Sequence, residues 1–290
     1  MKIRCPRSTF AAALQTAASV APTRTPREIL KRARLTVTDG SGVLFATDQE
    51  TSIRQAIPEL EVEETGDVLL PVAETTQIVR ELADEAIEIS SDGSRITLRG
   101  AHSEFRIPEV DPQEFPEVPD TEGSTPFSLD AVSLRNAIRR TLFATDTEGP
   151  RYALGGVLLE LRKDRPVFVA TDSRRLAVAR VELEAADAAT GPDKPLVPAK
   201  ALQLVDRTLG NAEGPVKLGF RANEVFFQIG PTSIISRLID GRFPDYERVI
   251  PRGLDHRIEM VVGPLHAAVR QAQIFTDEET RSVTFQLQPG

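Results

Sequence analysis

The side chains that could carry chemistry are few and scattered. Asp48 and Asp172 each close an Ala-Thr-Asp triplet, and Asp240 follows a Leu-Ile pair. Carboxylates of this kind support magnesium-assisted hydrolysis only when a second acid stands beside them to share the cation. No second acid recurs beside both triplets, so they read as strand ends whose aspartates satisfy turn amides, in preference to metal ligation. His102, His256 and His266 stand far apart and Cys5 is the only cysteine, which argues against a histidine metal cluster, a multi-cysteine site or an internal disulfide. Neither a Ser-His-Asp arrangement nor a glycine-rich phosphate loop occurs at a workable spacing. The expectation is a protein with no catalytic residues, no metal and no cofactor.

Charge is the more informative signal. The chain of 290 residues carries 35 Lys and Arg against 43 Asp and Glu, a net charge of −8, which argues against gripping nucleic acid by bulk charge. The distribution is uneven, however. No acid precedes Glu28, whereas Lys2, Arg4, Arg7, Arg24 and Arg27 do. Residues 131–145 also lack acids and carry Arg135, Arg139 and Arg140; residues 261–276 lack them and carry His266 and Arg270. Arg135 and Arg139 lie four apart beside the apolar line Leu134, Ile138, Leu142, so the unburied side of that helix presents positive charge. Three matching acid-free helices in an acidic chain point to a surface that faces a polyanion.

What positions these helices is an internal repeat. LTVTDGSGVLFATD, residues 35–48, lies without a gap over LELRKDRPVFVATD, residues 159–172, at an offset of 124, and the same offset places Phe10 and Leu14 on Leu134 and Ile138. Pro71 falls on Pro198 at an offset of 127 and Phe115 on Phe243 at 128, so GRFPDY closes the second copy as EFPEV closes the first. A third copy opens at an offset of 131, with Leu265 and Val269 on Leu134 and Ile138. The expected domains are 1–124, 125–255 and an incomplete 256–290. Each unit reads as α+β: a helix, a hairpin turning at Asp39-Gly40-Ser41-Gly42, a second helix near residues 73–83, and short strands AIEIS, RITLRG and SEFRIP. DPQEFPEVPDTEG reads as an interdomain linker.

ATDSRRLA (170–177), LIDGRFPDYERVIP (238–251), FATDQE and EFPEV, in this arrangement, resemble the bacterial DNA polymerase III beta subunit, the sliding clamp family, along the whole chain. The resemblance implies the DNA clamp fold: repeated domains, each with two helices packed on antiparallel sheets, and helices lining the hole of a head-to-tail ring. It implies a processivity factor that encircles duplex DNA without regard to sequence. It also implies partners: the polymerase III alpha subunit, the clamp loader, other proteins with a clamp-binding motif, and a second copy in a homodimer. A ring holds DNA by topology, so weak phosphate contacts suffice and an acidic exterior does no harm.

Carried over position by position, the resemblance implies DNA contacts at Arg24, Arg151 and Lys200. The residues themselves add Arg135, Arg139, Arg140, Arg80 and Arg207. The last two stand beside Glu81 and Asp206 and read equally as members of solvated ion pairs. The resemblance also implies a cleft for partner peptides, walled by Leu154, Thr171, Arg174, Arg175, Leu176, Pro244, Arg248 and Val249, with Phe243 anchoring the segment in the core. Where the family usually has Gly-His, this chain has Ser173-Arg174, which adds bulk and charge at the rim.

In the family the third domain completes the cleft and the ring. A chain ending at Gly290 is therefore expected not to close a ring, and a shortened clamp-like paralogue that binds partners or DNA as a monomer is the alternative reading. No apolar run approaches the roughly 18 residues of a membrane helix, and the first residues include no apolar secretory segment. The expectation is a cytoplasmic protein with no membrane partner.

Overall fold

The computed structural model describes residues 1–117, 126–146, 152–161, 166–181, 192, 194–210, 214–254, 257–276 and 282–286. They divide into two compact units, Met1–Pro244 and Asp245–Gly290. The expected boundaries at 124/125 and 255/256 fall outside the described residues.

The first unit contains the same series of elements twice, except that β5 of the first has no counterpart among the described residues of the second. The first series is β1 (Lys2–Pro6), α1 (Arg7–Ala18), β2 (Arg32–Thr38), β3 (Ser41–Thr47), β4 (Thr51–Ile57), β5 (Glu61–Glu64), β6 (Gly66–Pro71), α2 (Val72–Glu81), β7 (Ala86–Ser91), β8 (Arg95–Arg99) and β9 (Glu104–Pro108). The second is β10 (Phe127–Asp130), α3 (Ala131–Leu142), β11 (Gly156–Glu160), β12 (Val167–Thr171), β13 (Leu176–Arg180), β14 (Leu196–Pro198), α4 (Ala199–Leu209), β15 (Pro215–Arg221), β16 (Glu224–Ile229) and β17 (Thr232–Arg237). This is the α+β architecture of the expectation, with α1 packed on α2 and α3 on α4. No helix among the described residues is long and apolar enough to cross a membrane.

Local sequence accounts for the helices. Phe10, Ala13, Leu14 and Ala17 recur at helical spacing and are the buried residues of α1. Ala131, Leu134, Ala137, Ile138 and Thr141 do the same for α3. The Asp130 carboxylate accepts from the Ser133 amide at 2.7 Å, which caps α3 at its first turn. α4 stops at Gly210, whose φ of +43° suits a residue without a β-carbon. The hairpin after α1 turns more tightly than expected. Thr38 pairs with Ser41, leaving Asp39 and Gly40 alone at the tip, with Gly40 at φ +78°.

Each series also opens with a strand that the sequence pattern does not announce. In β1 only Ile3 and Cys5 are buried, and in β10 only Phe127 and Leu129. Two inward residues are too short a run to register as period-two alternation. Burial pushes the Cys5 thiol up to about 12, so the lone cysteine is a small apolar core group rather than a nucleophile.

Among the described residues the strands form three antiparallel sheets, ordered β5-β1-β7-β8-β9, β10-β15-β16-β17-β4-β3-β2-β6 and β13-β12-β11-β14. The eight-stranded sheet runs through both series because β17 of the second pairs with β4 of the first. Along this seam Ile234 stands opposite Ile53, both with no exposed surface. The buried Thr232 hydroxyl donates to Gln55 Oε1 at 2.6 Å. The Arg237 amide donates to the Glu50 carbonyl at 3.0 Å and the Ala56 amide to the Pro231 carbonyl at 2.9 Å. The repeat equivalent of β4 is β13, which lies at the end of its sheet; that of β17 is β9, which also ends a sheet.

In the second unit, α5 (Val262–Gln273) forms at the place of the third copy, yet none of its residues is buried. Leu265 is 36% exposed, whereas Leu134 and Phe10 at the matching positions have no exposed surface.

Truncating the seam should be felt in both repeats. Ile234→Ala is expected to lower stability by about 2–5 kcal/mol, the usual loss for a fully buried aliphatic side chain. A urea denaturation curve checks this; an unchanged midpoint would show that the seam contributes little.

Candidate functional site

α1 and α4 come together over the β4–β17 seam, since α1 packs on β3 and β4 while α4 packs on β16 and β17. Between them lies a groove of about 170 Å³, lined by Ser19 and Val20 after α1, Thr51 at the start of β4, and Lys200, Gln203 and Arg207 of α4. The spacing 200, 203, 207 lays these three polar side chains along one stripe of the helix. Lys200 and Arg207, expected from different lines of reasoning, are thus brought to one place.

The other expected cations lie on the two helix pairs or, for Arg24, in the segment after α1. Arg24, Arg80, Arg140 and Arg207 are exposed, and none has an ion-pair partner among the described residues. Arg80 does not pair with its neighbour Glu81, nor Arg207 with Asp206. Asp206 is instead shared by two residues of the facing helix: Arg139 Nε donates to its Oδ1 at 2.8 Å and Arg135 Nε stands 3.5 Å from the same oxygen. The acid-free window of α3 is therefore answered by a carboxylate 67 residues away in sequence. Arg135 and Arg139 are less available to an external anion than their own helix suggested. Arg151 lies outside the described residues. Arg7 is structural, its guanidinium donating to the carbonyls of Asp84 at 3.0 Å and Val79 at 3.4 Å.

The paired Ala-Thr-Asp triplets form matching turns. Asp48 Oδ1 accepts from the amides of Glu50 at 3.0 Å and Thr51 at 2.7 Å; Asp172 Oδ1 accepts from Arg174 and Arg175, both at 2.9 Å. The residue after each aspartate, Gln49 or Ser173, takes a left-handed φ of +78° or +74°. The Arg174 amide, followed by the Arg175 amide and guanidinium, holds the Asp172 carboxyl below the usual range despite the opposing effect of burial. The second oxygens part company. Asp172 Oδ2 accepts from Arg175 Nε of its own turn at 2.9 Å. Asp48 Oδ2 accepts from Lys200 of the other repeat.

The expected peptide-cleft residues are only partly gathered. Thr171 and Leu176 pair across the β12–β13 hairpin, and the Thr171 hydroxyl donates to the Arg175 carbonyl at 2.7 Å. Arg174 is exposed at the turn tip. The Arg175 guanidinium stacks over the Phe143 ring at 5.3 Å, an exposed aromatic outside the expected set. The signal lies one residue past α3, where the aligned first repeat has Ser19. Leu154 is only 2% exposed, a core residue here rather than an open wall. Pro244 is exposed at the end of the first unit. Arg248 and Val249 belong to the second unit, where Arg248 Nε pairs with Asp245 at 2.7 Å and Val249 is exposed.

The Gly241-Arg242-Phe243 segment is fixed by its backbone more than by its ring. Phe243 is half-buried, unlike Phe115 of the first copy at 4% exposed, so the expected core anchor is weaker than its counterpart. What holds the approach to this segment is the Ile239 amide, which donates to the Leu196 carbonyl at 2.8 Å. A β-carbon on Gly241 would sit 3.2 Å from that of Ala153.

The cap that sets α3, and with it Arg139 and Arg140, is open to a direct test. Asp130→Ala is expected to cost about 1 kcal/mol of stability and Asp130→Asn much less, since asparagine caps comparably. Thermal unfolding of the two variants distinguishes them; equal losses would assign the effect to charge rather than capping.

Two family models match this chain: the DNA polymerase III beta subunit N-terminal domain over residues 1–119 and its central domain over residues 128–245. The beta sliding clamp of Staphylococcus epidermidis is 29% identical over 268 residues, covering 90% of this chain and 70% of that protein. Among solved structures, the sliding clamp of Bartonella birtlesii bound to griselimycin superposes with a TM-score of 0.86 at 29% identity, over 97% of this chain and 76% of that one. The Bacillus subtilis clamp gives a TM-score of 0.89 at 24% identity, over 96% and 75%, a likeness of fold.

Proposed function

The chain belongs to the DNA polymerase III beta subunit family, and we propose that it acts as a DNA sliding clamp, a non-catalytic processivity factor that tethers polymerase and other clamp-binding proteins to duplex DNA. The observation that carries this reading is the repeated pair of helices whose outer sides leave Arg140 and Arg207 exposed without an ion-pair partner among the described residues. Such cations contact phosphates of any sequence, and their small number fits a grip loose enough to slide. Arg24, Arg80 and Lys200 extend the same basic surface, with Arg151 added by the resemblance. Arg135 and Arg139 contribute through their shared hold on Asp206.

Partner peptides dock beside the β12–β13 turn in this reading, where Arg174, Arg175 and the exposed Phe143 offer an apolar face rimmed by positive charge. Thr171, Leu176 and Pro244 border it. The resemblance adds Arg248 and Val249 to the residues proposed for partner peptides, and a second copy of the chain as a head-to-tail partner. The cytoplasm, where the replication machinery works, is the matching location.

The Arg140→Ala/Arg207→Ala double variant tests the DNA surface. Anisotropy with a fluorescent duplex should show binding that is indifferent to sequence, with the slope of log affinity against log salt reduced by about 0.9 for each phosphate contact removed. Variants that bind as tightly as the parent, with the same slope, would remove these residues from the interface.

A further inference from the structure

The ion pair between Lys200 and Asp48 joins the two repeats, and its lysine lines the α1–α4 groove. We propose that Asp48 is a resident competitor for DNA phosphate, holding Lys200 until a phosphodiester displaces it and so keeping the grip on DNA weak. The proposal rests on the sliding-clamp reading and adds to it the residue that regulates its strength.

The two partners differ in freedom. The Asp48 side chain is 11% exposed and that of Lys200 65%. Asp48 is also tied down by the two turn amides on its other oxygen, whereas Lys200 carries its ammonium on a flexible four-carbon stem. When an external anion arrives, the lysine is therefore the member that moves. Arg207, seven residues along the same helix, lines the same groove and has no ion-pair partner among the described residues. An incoming phosphate meets that standing charge and draws Lys200 across.

The first repeat has this arrangement and the second does not, for a reason visible in their sequences. Asp172 matches Asp48 but has Arg175 three residues on, which satisfies it within its own turn. At the position of Arg175 the first repeat has Thr51, and at the position of Lys200 it has Ala73. Asp48 has no cation within its own turn, so its second oxygen is answered from the other repeat. A pair whose lysine stands in solvent is worth little alone, which suits a contact that must exchange at each step of sliding.

Duplex binding by the full chain, its Asp48→Asn and Lys200→Ala variants and the double variant decides the matter. The Asp48→Asn change keeps the oxygen that accepts the turn amides while losing the charge; Asp48→Ser, which also supports such turns, serves if Asp48→Asn does not fold. Asp48→Asn should bind a short fluorescent duplex about two- to five-fold more tightly at low salt, the range of an ion pair screened by solvent on its lysine side. Lys200→Ala should bind more weakly than the parent, and the double variant should match Lys200→Ala. If Lys200→Ala weakens binding while neutral Asp48 variants bind no better than the parent, the competitor role is overturned and the clamp reading stands. A gain from Asp48→Asn that persists without Lys200 also overturns it, since the effect would then be general charge. Absence of duplex binding by every form would overturn the DNA reading itself.

Discussion

The seam between β4 and β17 is the constraint on which the rest depends. Two repeats joined by a linker could take many relative positions, but a shared sheet fixes register as well as proximity. Ile53 meets Ile234 only if the strands pair in one way, and a slip of one residue would turn the slipped strand's isoleucine toward the wrong face. Because α1 sits on β3 and β4 and α4 on β16 and β17, the register also determines which residues line the groove between them. Lys200 reaches Asp48 because backbone hydrogen bonds have already placed the two helices.

Electrostatics then sorts the cations into classes. Some are used up in construction, as Arg7 is by the carbonyls of Asp84 and Val79. Others are moderated by an internal acid, as Arg135 and Arg139 are by Asp206 and Lys200 is by Asp48. A third class, including Arg140 and Arg207, stands in solvent. A protein that must hold a polyanion and still move along it gains from this gradation, since phosphate contacts of full strength at every position would favour one resting register.

Much of the architecture is legible in the sequence, and the part that is not has a common cause. The duplication, the helix faces of α1 and α3, the turn role of Asp48 and Asp172, and the family all follow from patterns within a few residues or from one nearly constant offset. What escapes is contact between distant segments: β1 with β7, β4 with β17, Arg139 with Asp206, and Lys200 with Asp48 across 152 residues. Composition windows describe a helix by its own residues, but its field is set by whatever helix faces it. The same gap explains Leu154, a cleft wall by position yet sealed in the core, and Phe143, absent from the expected set although it stands in solvent under Arg175.

β13 and β9, the counterparts of the two strands that meet at the seam, each end a sheet among the described residues. The end strand of a sheet, where it is left uncovered, is a template of the kind that recruits strands from neighbouring molecules. Duplication has thus left each repeat with an end strand whose cover decides its colloidal behaviour. Val178 adds an exposed apolar side chain on β13, and the chain's behaviour in concentrated solution depends on what shields that strand.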